Sequence, residues 1–253
     1  MNIVECCWAE SLGNCSEKLT REHVVSEGMF PDQIIRVKGL SWCLEEFKEM
    51  NINNFVKKVL CKHHNSSLTD VDQAGSTAMK VFRDEIRFKD ARNAMKPRRW
   101  LIETFQIDGR GLERWCLKTL INVGAEGEYR IGRDSDSVGR PSARLVRITF
   151  GQEHFKPRAG LYGVARTGQN LDIVDGFRLI PYIDRGGTLL GGLFGIHGYQ
   201  FMLYVEDSGL AQSVLIPDFN GGPDFLAETL YPLKGLNFMI GKHKSHVFKF
   251  VYS

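Results

Sequence analysis

The sequence predicts an α+β fold, and three observations support this prediction. Five of the six cysteines of the 253-residue chain lie within its first quarter, as expected of a small ligand-rich unit. Apolar residues then recur at helical intervals from Leu68 to Ile86, which is typical of one buried helix face. The last 110 residues combine period-two alternation with frequent glycine turns and therefore predict β-structure.

These observations divide the chain into four units. We expect two strands and a helix, held together by the cysteines, in residues 1–80 and a helical connector in residues 81–125. A flexible loop or linker is predicted for residues 126–143, where small and polar residues predominate. Residues 144–253 are predicted to form a C-terminal all-β accessory domain.

The composition indicates a globular chain with a mild positive charge. Hydrophobic residues make up 43% of the sequence, enough for a sizeable core, and the net charge of +3 permits nucleic-acid binding without arguing for it. The first residues lack the basic and apolar regions of a signal peptide, and no stretch is long and apolar enough to span a bilayer. We therefore expect a cytoplasmic protein with no membrane partner, whose reduced cysteines are ligands or buried thiols.

The strongest local motif is the pair Cys61 and His64. Its two-residue gap lets one tight turn present two ligands to a tetrahedral zinc ion. Cys7 and Cys15 would complete a Cys3His set. Four protein ligands leave no open coordination position, so the sequence predicts a structural zinc site.

The ligand choice leaves alternatives open. Cys6 is adjacent to Cys7, and the sequence does not decide which of the two faces the metal. His63 is a second candidate for the imidazole ligand, although its spacing from Cys61 fits less well. Seven residues separate Cys7 from Cys15 instead of the usual two, and small buried thiols explain that pair equally well.

A second group of side chains offers oxygen and imidazole groups. Glu22 supplies a carboxylate, and Asn65 supplies an amide oxygen directly after His64. Oxygen ligands with open water positions suit Mg2+ or Mn2+. His23 is adjacent to Glu22 and can act as a general base, because histidine titrates near neutral pH.

A helix is expected from Thr69 to about Met95, with a break at Pro97. Thr69 and Asp72 form a start that is similar to a capping box. Asp72 could instead reach the metal or the residues around it, but capping is the favoured interpretation.

The segment from Lys80 to Arg99 contains eight basic and three acidic residues. A solvated helix face and a surface that follows nucleic-acid phosphates explain this run about equally well. The candidate phosphate contacts are Arg83, Arg87, Arg98 and Arg99.

The remaining elements are assigned from periodicity. A second helix is predicted over Leu112–Val123. Strands are predicted at Asn53–Leu60, Arg144–Phe150, Gln200–Val205 and His246–Tyr252.

The ordered set of Cys7, Cys15, Glu22-His23 and Cys61-x-x-His64-Asn65 resembles the HNH, or His-Me finger, endonucleases over roughly residues 5–85. That resemblance implies a ββα-metal fold around one divalent ion, often braced by a four-ligand zinc site. It also implies that His23 activates water, that Glu22 and Asn65 bind Mg2+ or Mn2+, and that Asn53 or Asn54 steadies the base. The family more often has Asp at the position of Glu22, His at that of Asn65 and Cys-x-x-Cys as the first zinc pair.

These residues together predict a metal-dependent endonuclease that hydrolyses phosphodiester bonds in DNA. Phage defence or mobile-element biology is the setting that the resemblance implies, with a homodimer or a regulatory partner protein bound through the β domain. The alternatives are an RNase and a non-catalytic zinc-knuckle protein that binds nucleic acid.

Overall fold

The structure is a computed structural model of the chain, and it describes the following residues: 7–16, 18–26, 29, 33–38, 40, 42–96, 101–125, 127–165, 177–206, 213–216, 226–233, 237–240 and 246–253. The helices are α1 Lys62–Ser66, α2 Thr69–Asn93, α3 Gly109–Gly124 and α4 Ala143–Thr149. The strands are β1 Leu19–His23, β2 Ile34–Val37, β3 Lys48–Asn51, β4 Val56–Cys61, β5 Glu103–Asp108, β6 Arg130–Ile131, β7 Gly160–Ala165, β8 Phe177–Ile183, β9 Thr188–Ile196, β10 Tyr199–Tyr204, β11 Ser213–Ile216, β12 Leu226–Pro232, β13 Asn237–Ile240 and β14 His246–Val251. The protein is therefore a mixed α+β structure, as predicted.

The two long helices confirm the periodicity of the sequence. Helix α2 begins at Thr69 and buries the predicted apolar face, including Val71 and Phe82. Helix α3 begins three residues before the predicted Leu112, because the Asp108 side chain accepts a hydrogen bond from the Gly111 amide at 2.9 Å. Neither helix, nor any other helix among the described residues, combines the length and apolar character needed to cross a bilayer.

Helix α3 lies at the centre of the protein, and most of its residues are buried. It packs against α2 and α4 and also contacts strands β5, β6, β9, β10 and β14. Gly75 permits the close approach of α2, because a Cβ atom at that position would lie 2.5 Å from the Trp115 ring. A charged side chain on this helix must therefore find its partner inside the protein.

The N-terminal strands belong to two different sheets. Strands β1 and β4 form a separate two-stranded antiparallel sheet, which we call the β1–β4 hairpin. Helix α1 begins directly after β4. Strands β2 and β3, which lie between them in sequence, pair with each other and extend a larger sheet beside β8. This sheet has the order β11-β12-β7-β10-β9-β8-β2-β3, with β6 paired to β9. A third sheet has the order β13-β14-β5, in which β14 is parallel to β5.

The large sheet connects segments from three of the four predicted units. Ile35 of β2 pairs with Phe177 of β8, and Ile131, within the predicted linker, is fully buried and pairs with Leu189 of β9. The larger of two hydrophobic core clusters among the described residues extends from Trp8 through these strands to Phe250. The residue boundaries of the four units stay a prediction.

The strand predicted at Arg144–Phe150 is wrong, because this segment forms helix α4. Leu145, Val146, Ile148 and Thr149 are buried, and that spacing is helical. Ser142 caps the helix by accepting a hydrogen bond from the Leu145 amide at 3.4 Å. Seven residues of mixed polarity are too few for alternation alone to separate a strand from two helical turns.

The other C-terminal predictions agree with the structure. Strand β10 covers the predicted Gln200–Val205 segment except its last residue, and β14 covers His246–Val251. Among the described residues beyond α4, all regular elements are strands.

Candidate metal centre

The side chains of Cys7, Cys15, Cys61 and His64 come together in a group that we call the Cys3His cluster. Their candidate ligand atoms all lie within 4.8 Å of one another. The Nδ1 atom of His64 lies 3.3 Å from Sγ of Cys7, 3.6 Å from Sγ of Cys15 and 3.3 Å from Sγ of Cys61. This cluster can bind a metal such as zinc, and the predicted grouping of these four residues is confirmed.

The structure also favours His64 over His63 as the imidazole of the cluster, because the ring of His64 lies beside the three thiols. Cys6 lies outside the described residues. Gly13 and Asn14, which lie between Cys7 and Cys15, have positive φ values of 76° and 55° and change the direction of the chain. This change of direction places Cys15 beside Cys7.

Local hydrogen bonds hold the two halves of the cluster together. The Trp8 amide donates to the Val59 carbonyl at 3.0 Å and joins the first cysteine segment to β4. The His63 amide donates to Oγ of Ser16 at 3.3 Å and joins α1 to the second cysteine segment. The ring of His64 packs edge-on against Phe150, with centroids 5.6 Å apart. The cluster therefore links β4, α1 and the segment around residues 7–16.

The pKa values of these side chains reflect their burial and their local hydrogen bonds. Burial raises the pKa of the Cys7 thiol to about 12, and the neighbouring Cys61 and Cys15 thiols add to the rise. Burial also acts to raise the pKa of Cys61, but hydrogen bonds from the backbone of His64 and from Ser16 outweigh it, and the pKa falls to about 7. Burial lowers the pKa of His64, which favours the neutral imidazole that binds metals.

The donor set of the cluster suits a structural metal. Three thiolates and one imidazole complete a tetrahedral zinc shell and leave no position for water or substrate. Among the described residues, this is the only group of three or more His, Cys, Asp or Glu side chains arranged to hold an ion.

A second polar group includes Glu22 of β1. The ammonium of Lys118 on α3 contacts Oε1 of Glu22 at 2.5 Å and both carboxylate oxygens of Asp72 at 2.8 Å. We call these three residues the Lys118 cluster. Burial raises the pKa of the Glu22 carboxyl, and the Lys118 ammonium opposes that rise.

The sequence predictions missed Lys118. Its side chain is 1% exposed in a helix whose neighbouring residues are almost all buried. A lysine inside such an apolar pattern is rarely buried without a carboxylate partner, and this rule could have identified it. The identity of the partners was not visible, because Glu22 and Asp72 precede Lys118 by 96 and 46 residues.

The capping interpretation of Asp72 is wrong. Its carboxylate accepts a hydrogen bond from Oγ of Ser26 at 2.5 Å in addition to those from Lys118. Ser26 in turn accepts a hydrogen bond from the ring nitrogen of Trp115 at 3.2 Å. Asp72 therefore joins α2 to α3 and to the chain that follows β1.

The other predicted site residues lie along this hairpin. His23 is the half-buried last residue of β1 and is paired in register with Val56. The side-chain amide of Asn65 donates to Oγ1 of Thr20 at 3.1 Å, so Asn65 is tied to the strand that carries Glu22 and His23.

Asn53 and Asn54 both lie in the 3-10 turn Ile52–Asn54 that precedes β4. The side-chain amide of Asn53 donates to Oε1 of Gln33 at 3.3 Å, and Asn54 is exposed. The structure places both residues near the start of β4 and does not bring either of them into the Lys118 cluster.

Two of the four candidate phosphate contacts, Arg83 and Arg87, lie on α2. Arg83 is half-buried, and the side chain of Arg87 is 81% exposed and makes only a loose contact of 4.0 Å with Asp84. Arg98 and Arg99 lie outside the described residues.

Comparisons of the chain with known protein families, with curated proteins and with solved structures found no match. The interpretation of the site therefore depends on its chemistry. The Cys3His cluster carries the metal-binding inference, and binding of Mg2+ or Mn2+ by Glu22 and Asn65 stays a prediction.

Proposed function

We propose that the protein is a zinc-braced, metal-dependent DNA endonuclease of the HNH type. The observation that supports this function most is the Cys3His cluster at the junction of β4 and α1. Directly after its last member, Asn65 binds Thr20 of β1, the strand that ends with Glu22 and His23. The zinc brace would thus hold the three side chains proposed for catalysis on one hairpin and its adjoining helix.

In this proposal His23 removes a proton from the attacking water. Glu22 and Asn65 would hold the Mg2+ or Mn2+ ion, and that ion would stabilise negative charge on the phosphate. The exposed guanidinium of Arg87 and the neighbouring Arg83 contact the nucleic-acid backbone.

Plasmid nicking tests this function directly. Purified protein should nick supercoiled DNA in the presence of Mg2+ or Mn2+, and His23→Ala should reduce the rate by about 10^2 to 10^4-fold, as expected for loss of a positioned base. His154→Ala is the matched control, because His154 is exposed and distant in sequence from the hairpin. Wild-type rates in His23→Ala would remove His23 from the mechanism. A parallel assay with single-stranded RNA distinguishes a DNase from an RNase.

One observation favours a second candidate, a non-catalytic zinc protein that binds nucleic acid. The Glu22 carboxylate already has a cationic partner in Lys118, so it does not require a metal for charge balance. In that case the wild-type protein should bind nucleic acid, and neither wild type nor His23→Ala should nick it at any Mn2+ concentration.

A further inference from the structure

The Lys118 ammonium occupies a position between two carboxylates that come from different elements. Glu22 lies on β1, Asp72 on α2 and Lys118 on α3, with N–O distances of 2.5–2.8 Å. An ammonium has three N–H donors and no acceptor, and all its contacts here are with carboxylate oxygens. Lys118 therefore gives Glu22 the neutralising charge that a metal ion would otherwise supply.

The two kinds of cation exclude each other at short range. A divalent ion bound to Glu22 would lie close to the ammonium, and two positive charges repel strongly in a partly buried site. We propose that Lys118 competes with the divalent metal for the Glu22 carboxylate and thereby sets the metal concentration at which the site fills. The inference rests on the proposed function in one respect, since it takes Glu22 as a metal ligand.

Asp72 gives the Lys118 ammonium a second carboxylate partner. Both of its carboxylate oxygens contact Lys118, and Ser26 holds the same carboxylate through a hydrogen bond of 2.5 Å. Trp115 anchors Ser26 in turn. When a metal takes Glu22, Lys118 keeps its bonds to Asp72, so metal binding does not leave a buried ammonium unpaired. Asp72 and Lys118 thus act as positioning residues, because they act on the metal through Glu22.

Mn2+ binding to the zinc-loaded full-length chain tests this competition without any need for catalysis. Free Mn2+ is measured by electron paramagnetic resonance during titration of wild type and Lys118→Met. Removal of the competing charge should lower the Kd for Mn2+ by about tenfold or more. The additional substitution Glu22→Gln should abolish this gain.

Arg144→Met is the matched control for loss of a buried cation. The side chain of Arg144 is 11% exposed and contacts Oε2 of Glu206 at 2.8 Å, within a different part of the fold. Its removal should leave the Kd for Mn2+ unchanged, which separates competition at Glu22 from general destabilisation.

A second pair of variants protects the test against misfolding. Lys118→Met leaves the carboxylates of Glu22 and Asp72 without their ammonium partner. The double variant Asp72→Asn/Lys118→Met leaves only the Glu22 carboxylate in that state, and the net charge of its cluster equals that of wild type. Asp72→Asn alone retains Lys118 on Glu22. The double variant should bind Mn2+ more tightly than Asp72→Asn, since the two proteins differ only in Lys118.

Two results together would overturn the competition. The Kd for Mn2+ would be the same in wild type and Lys118→Met, and it would also be the same in Asp72→Asn and the double variant. This outcome is distinct from failure of the proposed function. Tighter Mn2+ binding without Lys118 in a protein that never nicks DNA would support the competition and reject the nuclease. His23-dependent nicking with unchanged Mn2+ affinity would do the reverse.

Discussion

The Cys3His cluster and the Lys118 cluster lie on the same hairpin but balance their charge in opposite ways. The first consists of three thiols and an imidazole, and none of these side chains carries a permanent positive charge. The second contains two carboxylates and its own ammonium. A cluster of the first kind needs an ion to bring its thiolates together, whereas one of the second kind is held together by the chain itself. The comparison shows that donor residue types alone do not decide where a metal binds.

Cys61→Ser should produce the largest effect, because it breaks the cluster that depends on an ion. Structural zinc contributes roughly 10 to 16 kcal/mol of apparent binding free energy at neutral pH, and loss of one thiolate should release the ion and unfold the N-terminal hairpin. Zinc content by mass spectrometry and thermal unfolding measure the two consequences.

Cys43→Ser is the matched control for this variant, because Cys43 is buried but does not belong to the cluster. It should retain one zinc ion per chain. A folded hairpin in zinc-free Cys61→Ser would show that the brace does not depend on metal and would remove the contrast between the two clusters.

Lys118→Met should have the second largest effect, because it breaks the cluster that carries its own cation. Removal of one partner of a buried ion pair costs about 3–5 kcal/mol, here through the unpaired Glu22 and Asp72. Urea denaturation measures this loss, and a chelator should not reproduce it. Added Mn2+ should stabilise the variant at lower concentrations than it stabilises wild type, because the variant binds the ion more tightly. A change below about 0.5 kcal/mol, typical of a surface substitution, would mean that the ion pair is not formed in solution.

Substitution of Arg83 and Arg87 by Gln should have a smaller effect, confined to nucleic-acid binding. Each lost phosphate contact reduces the slope of log affinity against log salt by roughly 0.9 on duplex DNA. The two residues are four apart on α2 and share a face. Filter binding over a range of salt concentrations measures the slope, and an unchanged slope would make the basic run a solvated face.

A third buried group should give the smallest effect, in the pH dependence of stability. Oε1 of Glu85 lies 2.7 Å from Nε2 of His246, and Glu85 also accepts a hydrogen bond from Tyr199. Burial lowers the pKa of His246 from its ordinary value of 6.5 and outweighs the opposite influence of Glu85, while Arg92 and Lys89 lower the pKa further.

The sign of this pH effect follows from the lowered pKa. Above pH 6.5, His246 is neutral in both the folded and the unfolded state. As the pH falls below 6.5, the unfolded chain takes up the proton first, so the stability of the folded state decreases until the pH reaches the folded-state pKa. His246→Gln should therefore lose less stability than wild type between pH 7.5 and about pH 5.5, whereas the exposed His154→Gln should behave as wild type. Parallel pH profiles for all three proteins would contradict this account of His246.

The sequence predicted the two long helices and strands β4, β10 and β14, and its errors have identifiable causes. The start of α2 at Thr69 and the zinc ligands Cys61 and His64 depend on spacings of a few residues, which the chain shows directly. The strand predicted at Arg144–Phe150 failed because its seven residues fit both periods, and burial against α3 decides for a helix. The capping role of Asp72 failed because a better partner, Lys118, lies on a different helix.

By itself the sequence predicted the donor residues of this protein: three cysteines and a histidine for a tetrahedral ion, Asn65 directly after that histidine, and Glu22 and His23 much earlier in the chain. Only the tertiary structure decided that α3 puts the Lys118 ammonium on Glu22 and Asp72. The physical reason is that spacing encodes contacts within one or two turns, whereas neutralisation of a buried carboxylate depends on which distant element packs against it.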